Sequence, residues 1–277
     1  MYKANILEFS KSFDISDDAQ VLVATSTQVD TTSTVDTKLV IYRAVGDQFQ
    51  LDQIITAPDN VTAWADKVAL NPAGTQFAIS SMLNDTGKVN QGVVYVYTQT
   101  AGTFALTQTL TPPNNEESEG FGFGLDFGTD NLVVSSLNGD QTIPTTFDIT
   151  AYAATEDTAT TFDNLFTNFR NIKLDKGVVY VYEAVNNILI YSEKFAYPLT
   201  QTTFGENIYA NGNHVYIGMP DQLAGETDNL PGKKGQLLDF RKNKNTFAWN
   251  IISEGIMPVD VDNIQGMFLY NKRENNI

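Results

Sequence analysis

The chain has 277 residues, of which 42% are hydrophobic and 11% aromatic, and its 33 acidic and 17 basic residues give a formal charge of −16. That length supports a substantial core, and the acidic excess repels phosphate backbones and anionic membranes, which argues against nucleic-acid binding. Without a cysteine there is no disulfide, thiolate metal site or cysteine nucleophile. No apolar run approaches the roughly 18 residues of a membrane span, and "MYKANILEFSKSFDIS" lacks the apolar core of a signal peptide.

The segments repeat in chain order. "FSKSFDISDDAQVLVAT" from Phe9 leads through a variable stretch to "KLVIY", ending at Tyr42, and seven positions later Phe49 opens "FQLDQII". "WADKVALNPAGTQFAISS" from Trp64 is followed by "GVVYVY" (Gly92–Tyr97) and then by "FALTQTL" from Phe104. "FGFGLDFGTDNLVVSS" from Phe121 precedes a second "GVVYVY" (Gly177–Tyr182) and "LIYSEKF" from Leu189. "FGENIYANGNHVYIGM" from Phe204 precedes "GQLLDF", ending at Phe240, and "FAWNIIS" from Phe247. The same spacing of seven between the third and fourth segments thus occurs four times.

Each unit reads as four short strands. An aromatic-initiated strand is followed by a polar turn ("DDAQ", "NPAG", "GTDN" or "NGNH") and a hydrophobic strand ending in small residues. A loop then leads to the "GVVYVY" strand, whose consecutive apolar positions require both faces to be covered. Small residues such as Ser80-Ser81, Ser135-Ser136 and Gly218 suit crowded packing near an axis. Four-stranded units that cannot bury their own faces, starting at Phe9, Trp64, Phe121 and Phe204, predict an all-β fold, a β-propeller of antiparallel four-stranded blades.

These residues carry a family resemblance. Phe-Gly, a polar turn, "LVVSS", a loop, "GxVYVY", a hairpin and "FxLxQxL" together resemble the FG-GAP repeat, in its bacterial form related to integrin-α propeller blades. The resemblance covers residues 9 to 254 and weakens in the first two units, where Phe9-Ser10 and Trp64-Ala65 replace Phe-Gly. It implies a propeller used for recognition or architecture. Members of that family often carry a DxDxDGxxD calcium loop. None occurs here, and Asp126, Asp130 and Asp140 have a different spacing, so no cofactor is expected, with calcium held elsewhere through backbone carbonyls as the alternative.

"GMFLYNKRENNI" from Gly266 resembles "GVVYVYEAVNNI" from Gly177 and stops where a fourth strand would begin. Residues 1–258 are therefore read as the propeller, and residues 259–277 as a partial blade closing the ring or the start of a following domain. "MPVDVDNIQGMFLYNKRENN" also resembles a phrase found in very large bacteriophage virion proteins. The expectation is a non-enzymatic virion component in contact with other virion or surface proteins, or with a host glycan or receptor. The alternatives are a secreted or cell-surface adhesion propeller and a propeller glycosidase.

Candidate chemistry is sparse. Gly122, Gly124 and Gly128 form GxGxxxG ahead of a strand, which is not a dinucleotide motif. His214, the single histidine, is expected to be a hydrogen-bonded turn or rim residue. Asp14, Asp66 and Asp126 fall on the first strands, with Glu206 near that level, where glycosidase carboxylates would lie; acids at repeat-equivalent positions also bind backbone amides. In the long third-unit insertion, Asn138 to Lys176, Phe162, Leu165, Phe166, Phe169 and Ile172 follow i, i+3, i+4, i+7 and i+10. That spacing predicts one apolar face of a helix, N-capped by Thr160 or Thr161, which either covers the propeller's side or an exposed blade or anchors a neighbouring subunit.

Overall fold

The computed structural model describes residues 6–29, 35–58, 61, 64–85, 87–113, 120–136, 177–196, 204–219, 236–242 and 249–256. These form four antiparallel four-stranded sheets, each built from consecutive strands. Blade 1 comprises β1 (Ile6–Ile15), β2 (Val21–Val29), β3 (Val35–Val45) and β4 (Gln48–Thr56). Blade 2 comprises β5 (Val68–Leu70), β6 (Gln76–Ser81), β7 (Val93–Thr100) and β8 (Thr103–Leu110). Blade 3 comprises β9 (Phe121–Phe127), β10 (Asn131–Ser136), β11 (Val178–Val185) and β12 (Ile188–Ala196). Blade 4 comprises β13 (Asn207–Asn211), β14 (His214–Met219), β15 (Gln236–Lys242) and β16 (Trp249–Ile256). The fold is an all-β propeller of antiparallel four-stranded blades, as the repeat predicts. The helix expected around Phe162–Ile172 and the partial blade at 259–277 lie outside the described residues.

The blades stack through their faces. β1 packs on β5, β5 on β9 and β9 on β13, so the first strands of successive blades are neighbours. Val23, Leu39 and Ile41 of blade 1 meet Phe77, Tyr95, Tyr97 and Phe104 of blade 2. Ala78, Val94 and Val96 of blade 2 meet Phe121, Leu132, Tyr180 and Tyr182 of blade 3. Val133, Val179 and Val181 of blade 3 meet Phe204, Val215, Leu238 and Phe240 of blade 4. Thus blades 1 to 3 turn small or branched side chains forward, and blades 2 to 4 turn aromatic or larger ones backward to meet them. Both faces of the "GVVYVY" strands are used, and Val93–Tyr97 and Val178–Tyr182 are buried throughout. Burying such a side chain stabilises the fold by about 1.5–3 kcal/mol.

Two motif glycines allow the close approach between blades. Gly122 lies at φ +92°, and a Cβ there would fall 2.5 Å from Ser80 Cβ of the preceding blade. Gly205 repeats this at φ +85°, with Ser135 Cβ at 2.9 Å and Val179 Cγ2 at 2.8 Å. The Phe-Gly pair and the terminal serines of the second strand are therefore two halves of one contact. Ala65 takes the glycine's place in blade 2 and is held at φ 62°, an uncommon conformation for a residue with a side chain.

The third and fourth strands of every blade are offset by a bulge at the same place, after Ile41, Val96, Val181 and Asp239. In three blades the extra residue bonds back across the hairpin. Arg43 Nε donates to Asp52 Oδ2 (2.7 Å), the Thr98 and Thr107 hydroxyls lie 2.8 Å apart, and Ser192 Oγ donates to Glu183 Oε1 (2.7 Å). One correction to the sequence register follows. Phe240 pairs with Ile251 as Tyr42 pairs with Leu51, so Trp249, not Phe247, corresponds to Phe49. The fourth hairpin is two residues longer than the others, and the equal spacing of aromatics disguises it.

Gly205→Ala is expected to destabilise the protein by more than about 1 kcal/mol, because it combines a left-handed φ with a steric overlap. Ala65→Gly should stay within about 1 kcal/mol of zero, since relief of strain offsets the added freedom of the unfolded chain. Denaturant titration of both variants checks this.

Candidate functional site

A cavity of about 280 Å³ lies beside the first strands of blades 2 to 4. Lys67 enters it from the segment before β5, and Phe123, Gly124 and Leu125 from β9. Blade 4 supplies Glu206, Asn207, Ile208, Tyr209, Tyr216, Gly218 and Leu237. Tyr209 and Tyr216 are cross-strand partners on β13 and β14, with ring centroids 6.0 Å apart. His214, two residues before Tyr216 on the same strand, stacks on that ring at 5.7 Å with an interplanar angle of 10°.

His214 Nδ1 lies 2.9 Å from Asp239 Oδ1 on β15, so the histidine is hydrogen-bonded. A carboxylate at one ring nitrogen fixes the imidazole orientation, which is two parts of a hydrolytic triad. Asp239 was not singled out from sequence, although comparing "GVVYVY" with "GQLLDF" exposes it. It occupies the place of Ile41, Val96 and Val181, the side chains that other blades turn toward the next one. Likewise Tyr216 stands where Val23, Ala78 and Val133 stand, so blade 4 presents a polar and aromatic forward face.

The first-strand acids are engaged in the architecture. Asp14 Oδ2 accepts the Leu70 N–H of blade 2 at 2.8 Å, while its Oδ1 accepts Ile15 N–H at 2.8 Å. Asp126 Oδ2 accepts the Ala210 N–H of blade 4 at 2.5 Å. The two are repeat equivalents, opposite Val23 on β2 and Val133 on β10. Asp66 is not at their level. Ala69 is, and Asp66 precedes β5, accepting Lys11 Nζ (2.6 Å) and Met82 N–H (2.9 Å). Tyr209 holds the equivalent place in blade 4, opposite Tyr216. Glu206 is exposed and alone of the four lines the cavity. The structure therefore places Asp14 and Asp126 at one repeat level, bonded to the next blade, and Asp66 and Glu206 away from it.

Among the described residues no three His, Asp or Glu side chains are grouped so as to hold a metal ion, and no helix is long and apolar enough to cross a membrane. Asp140 and the anchor candidates Phe162, Leu165, Phe166, Phe169 and Ile172 lie outside the described residues.

No family model matches the chain, and no curated protein is similar to it. Solved structures are. A hypothetical selenium-binding protein from Sulfolobus tokodaii is 10% identical with a TM-score of 0.50, over 90% of this chain and 55% of that one. The β-propeller domain of the Trilobed protease from Pyrococcus furiosus is 9% identical with a TM-score of 0.45, over 86% of this chain and 53% of that one. A candidate 6-phosphogluconolactonase from Bacteroides uniformis is 10% identical with a TM-score of 0.49, over 90% of this chain and 58% of that one. The likeness is one of fold. The chain spans a little over half the length of each, and their activities do not transfer at such identities.

Asp126→Ala should cost about 1–3 kcal/mol by leaving the Ala210 N–H without its acceptor, and Asp126→Asn, which keeps an acceptor oxygen, should cost less. Comparing the unfolding midpoints of the two variants tests whether this acid holds blades together.

Proposed function

We propose that the chain is a non-catalytic β-propeller module, a structural and interaction component of a bacteriophage virion. The observation that carries the non-catalytic reading is the use of the axial acids. Asp14 and Asp126 accept backbone amides of the next blade, and Asp66 is committed to Lys11 and Met82. Carboxylates in those roles fix blade positions, whereas a glycosidase needs two directed at a shared bond. The FG-GAP resemblance supports recognition or architecture, and the "VDVDNIQGMFLYNKRENN" phrase supports the virion setting. Partners on this reading are other virion proteins. A charge of −16 favours neutral or basic partner surfaces.

Contact with a host glycan or receptor is a second reading, favoured by the cavity. Tyr209 and Tyr216 beside Asn207, Glu206 and Lys67 combine aromatic surface with hydrogen-bonding groups, the mixture that sites for small polar ligands use.

Changing Phe162, Leu165, Phe166 and Phe169 together to Ser should abolish incorporation into particles while the melting temperature of the isolated chain stays the same. Incorporation at the normal level would overturn the proposed anchor.

A further inference from the structure

The outer strands carry a second repeated joint. Gln53 Nε2 of β4 donates to the Phe104 carbonyl of β8 at 2.9 Å, and its Oε1 accepts the Phe104 N–H at 2.9 Å. Gln108 of β8 treats Leu189 of β12 in the same way, at 3.1 and 2.7 Å. One primary amide thus satisfies both backbone groups of one residue in the next blade, because it carries both a donor and an acceptor. The bulge fixes the register: Gln53 lies opposite Ile41, and Gln108 opposite Val96.

Blade 3 breaks the pattern. Opposite Val181, in the place of those glutamines, stands Glu193. In blade 4 the register puts Trp249 in the place of Phe104 and Leu189. An ionised carboxylate accepts hydrogen bonds but donates none, whereas a protonated one carries both functions, as glutamine does.

We infer that Glu193 is a proton-dependent clamp between blades 3 and 4. When neutral it bonds to both backbone groups of Trp249, as glutamine does at the two earlier joints; when ionised it leaves the carbonyl without a donor. The only covalent change is the O–H bond formed with a solvent proton.

The surroundings fit that role. Burial raises the Glu193 pKa above the usual carboxylate value, against an opposing hydrogen bond from the Lys194 N–H at 3.2 Å. Tyr191, on the same strand, is raised by burial and by the Glu193 charge. Lys194, the next residue, is buried. On β11, Glu183 takes the Lys242 ammonium of β15 at 2.5 Å and the Ser192 hydroxyl. Burial pushes Glu183 up, but those two bonds outweigh it and hold the group below its usual value. This ion pair keeps the joint assembled at neutral pH, so ionisation of Glu193 loosens it without separating the blades.

The sign follows from linkage. A carboxyl whose folded pKa is raised contributes most below its unfolded value, and that contribution falls as pH rises through the raised value. Glu193→Gln should therefore melt about 2–4 °C above the unmodified chain at about pH 7.5, with the gap closing at about pH 4. The difference between the two curves cancels the other acids, Glu183 included. Glu193→Ala, lacking both functions, should melt below the unmodified chain at the acidic end. A Gln variant with no gap, or an equal gap at both pH values, would overturn the inference. So would an Ala variant indistinguishable from the unmodified chain in acid.

Discussion

The arrangement rests on one close contact, where the backbone of Gly122 lies against the side chain of Ser80. A Cβ at residue 122 would come within 2.5 Å of the serine Cβ, so the approach requires a glycine on one side and a small residue on the other. Beside it, Gly92 at φ +83° lies against the backbone of Phe121, and the Phe121 N–H donates to the Gln91 carbonyl at 3.0 Å. The start of one blade's first strand is thereby fixed against both the second and third strands of the blade before it. Gly205 against Ser135 repeats the contact one blade later. Once first strands are set this close, the broad faces behind them meet at a separation that valine, leucine, tyrosine and phenylalanine fill.

Other polar devices hold the blades at different radii. Near the axis, Asp14 and Asp126 reach across to backbone amides of β5 and β13. At the periphery, Gln53 and Gln108 clamp the outer strands. These bonds are directional and satisfy groups that the blade edges leave over, whereas the apolar faces between them are tolerant of sliding. Blade 4 departs from the pattern on its forward side. Asp239 and Tyr216 take positions that are aliphatic in the other three blades, and Tyr209 takes the position of Asp14 and Asp126. A face so altered is poorly matched to the aromatic back of another such blade, and it supplies much of the cavity wall.

Much of this was legible in the sequence, because repetition multiplies a weak signal. Two copies of "GVVYVY", the Phe-Gly pairs and the serine-ended strands identify the blades and their strand order. The consecutive apolar run correctly implies a strand covered on both faces. What the sequence hid was partnership across the repeats. Asp126 and Ala210 are 84 positions apart, and Gln108 and Leu189 are 81; nothing local marks either pair. Asp66 stands nearer its unit's opening aromatic, Trp64, than Asp14 and Asp126 stand to Phe9 and Phe121; counted at their distance the residue is Ala69, so residue type and not position suggested the equivalence. The two extra residues of the fourth hairpin were concealed by an aromatic at each alternative position, Phe247 and Trp249. The clamp glutamines were visible as the Q of "FxLxQxL", but their function depends on a bulge that no residue type announces.

The most direct measurement of this account is a double-mutant cycle on Gly122 and Ser80, using Gly122→Ala, Ser80→Gly and the pair. If the glycine is required because the serine occupies the space of its missing Cβ, removing the serine side chain should recover more than about 1 kcal/mol of the loss caused by Gly122→Ala. The remaining loss would be the cost of φ +92° for alanine. Simple additivity of the two substitutions would contradict the account. It would mean that the Phe-Gly repeat serves the backbone of its own strand and not the joint between blades.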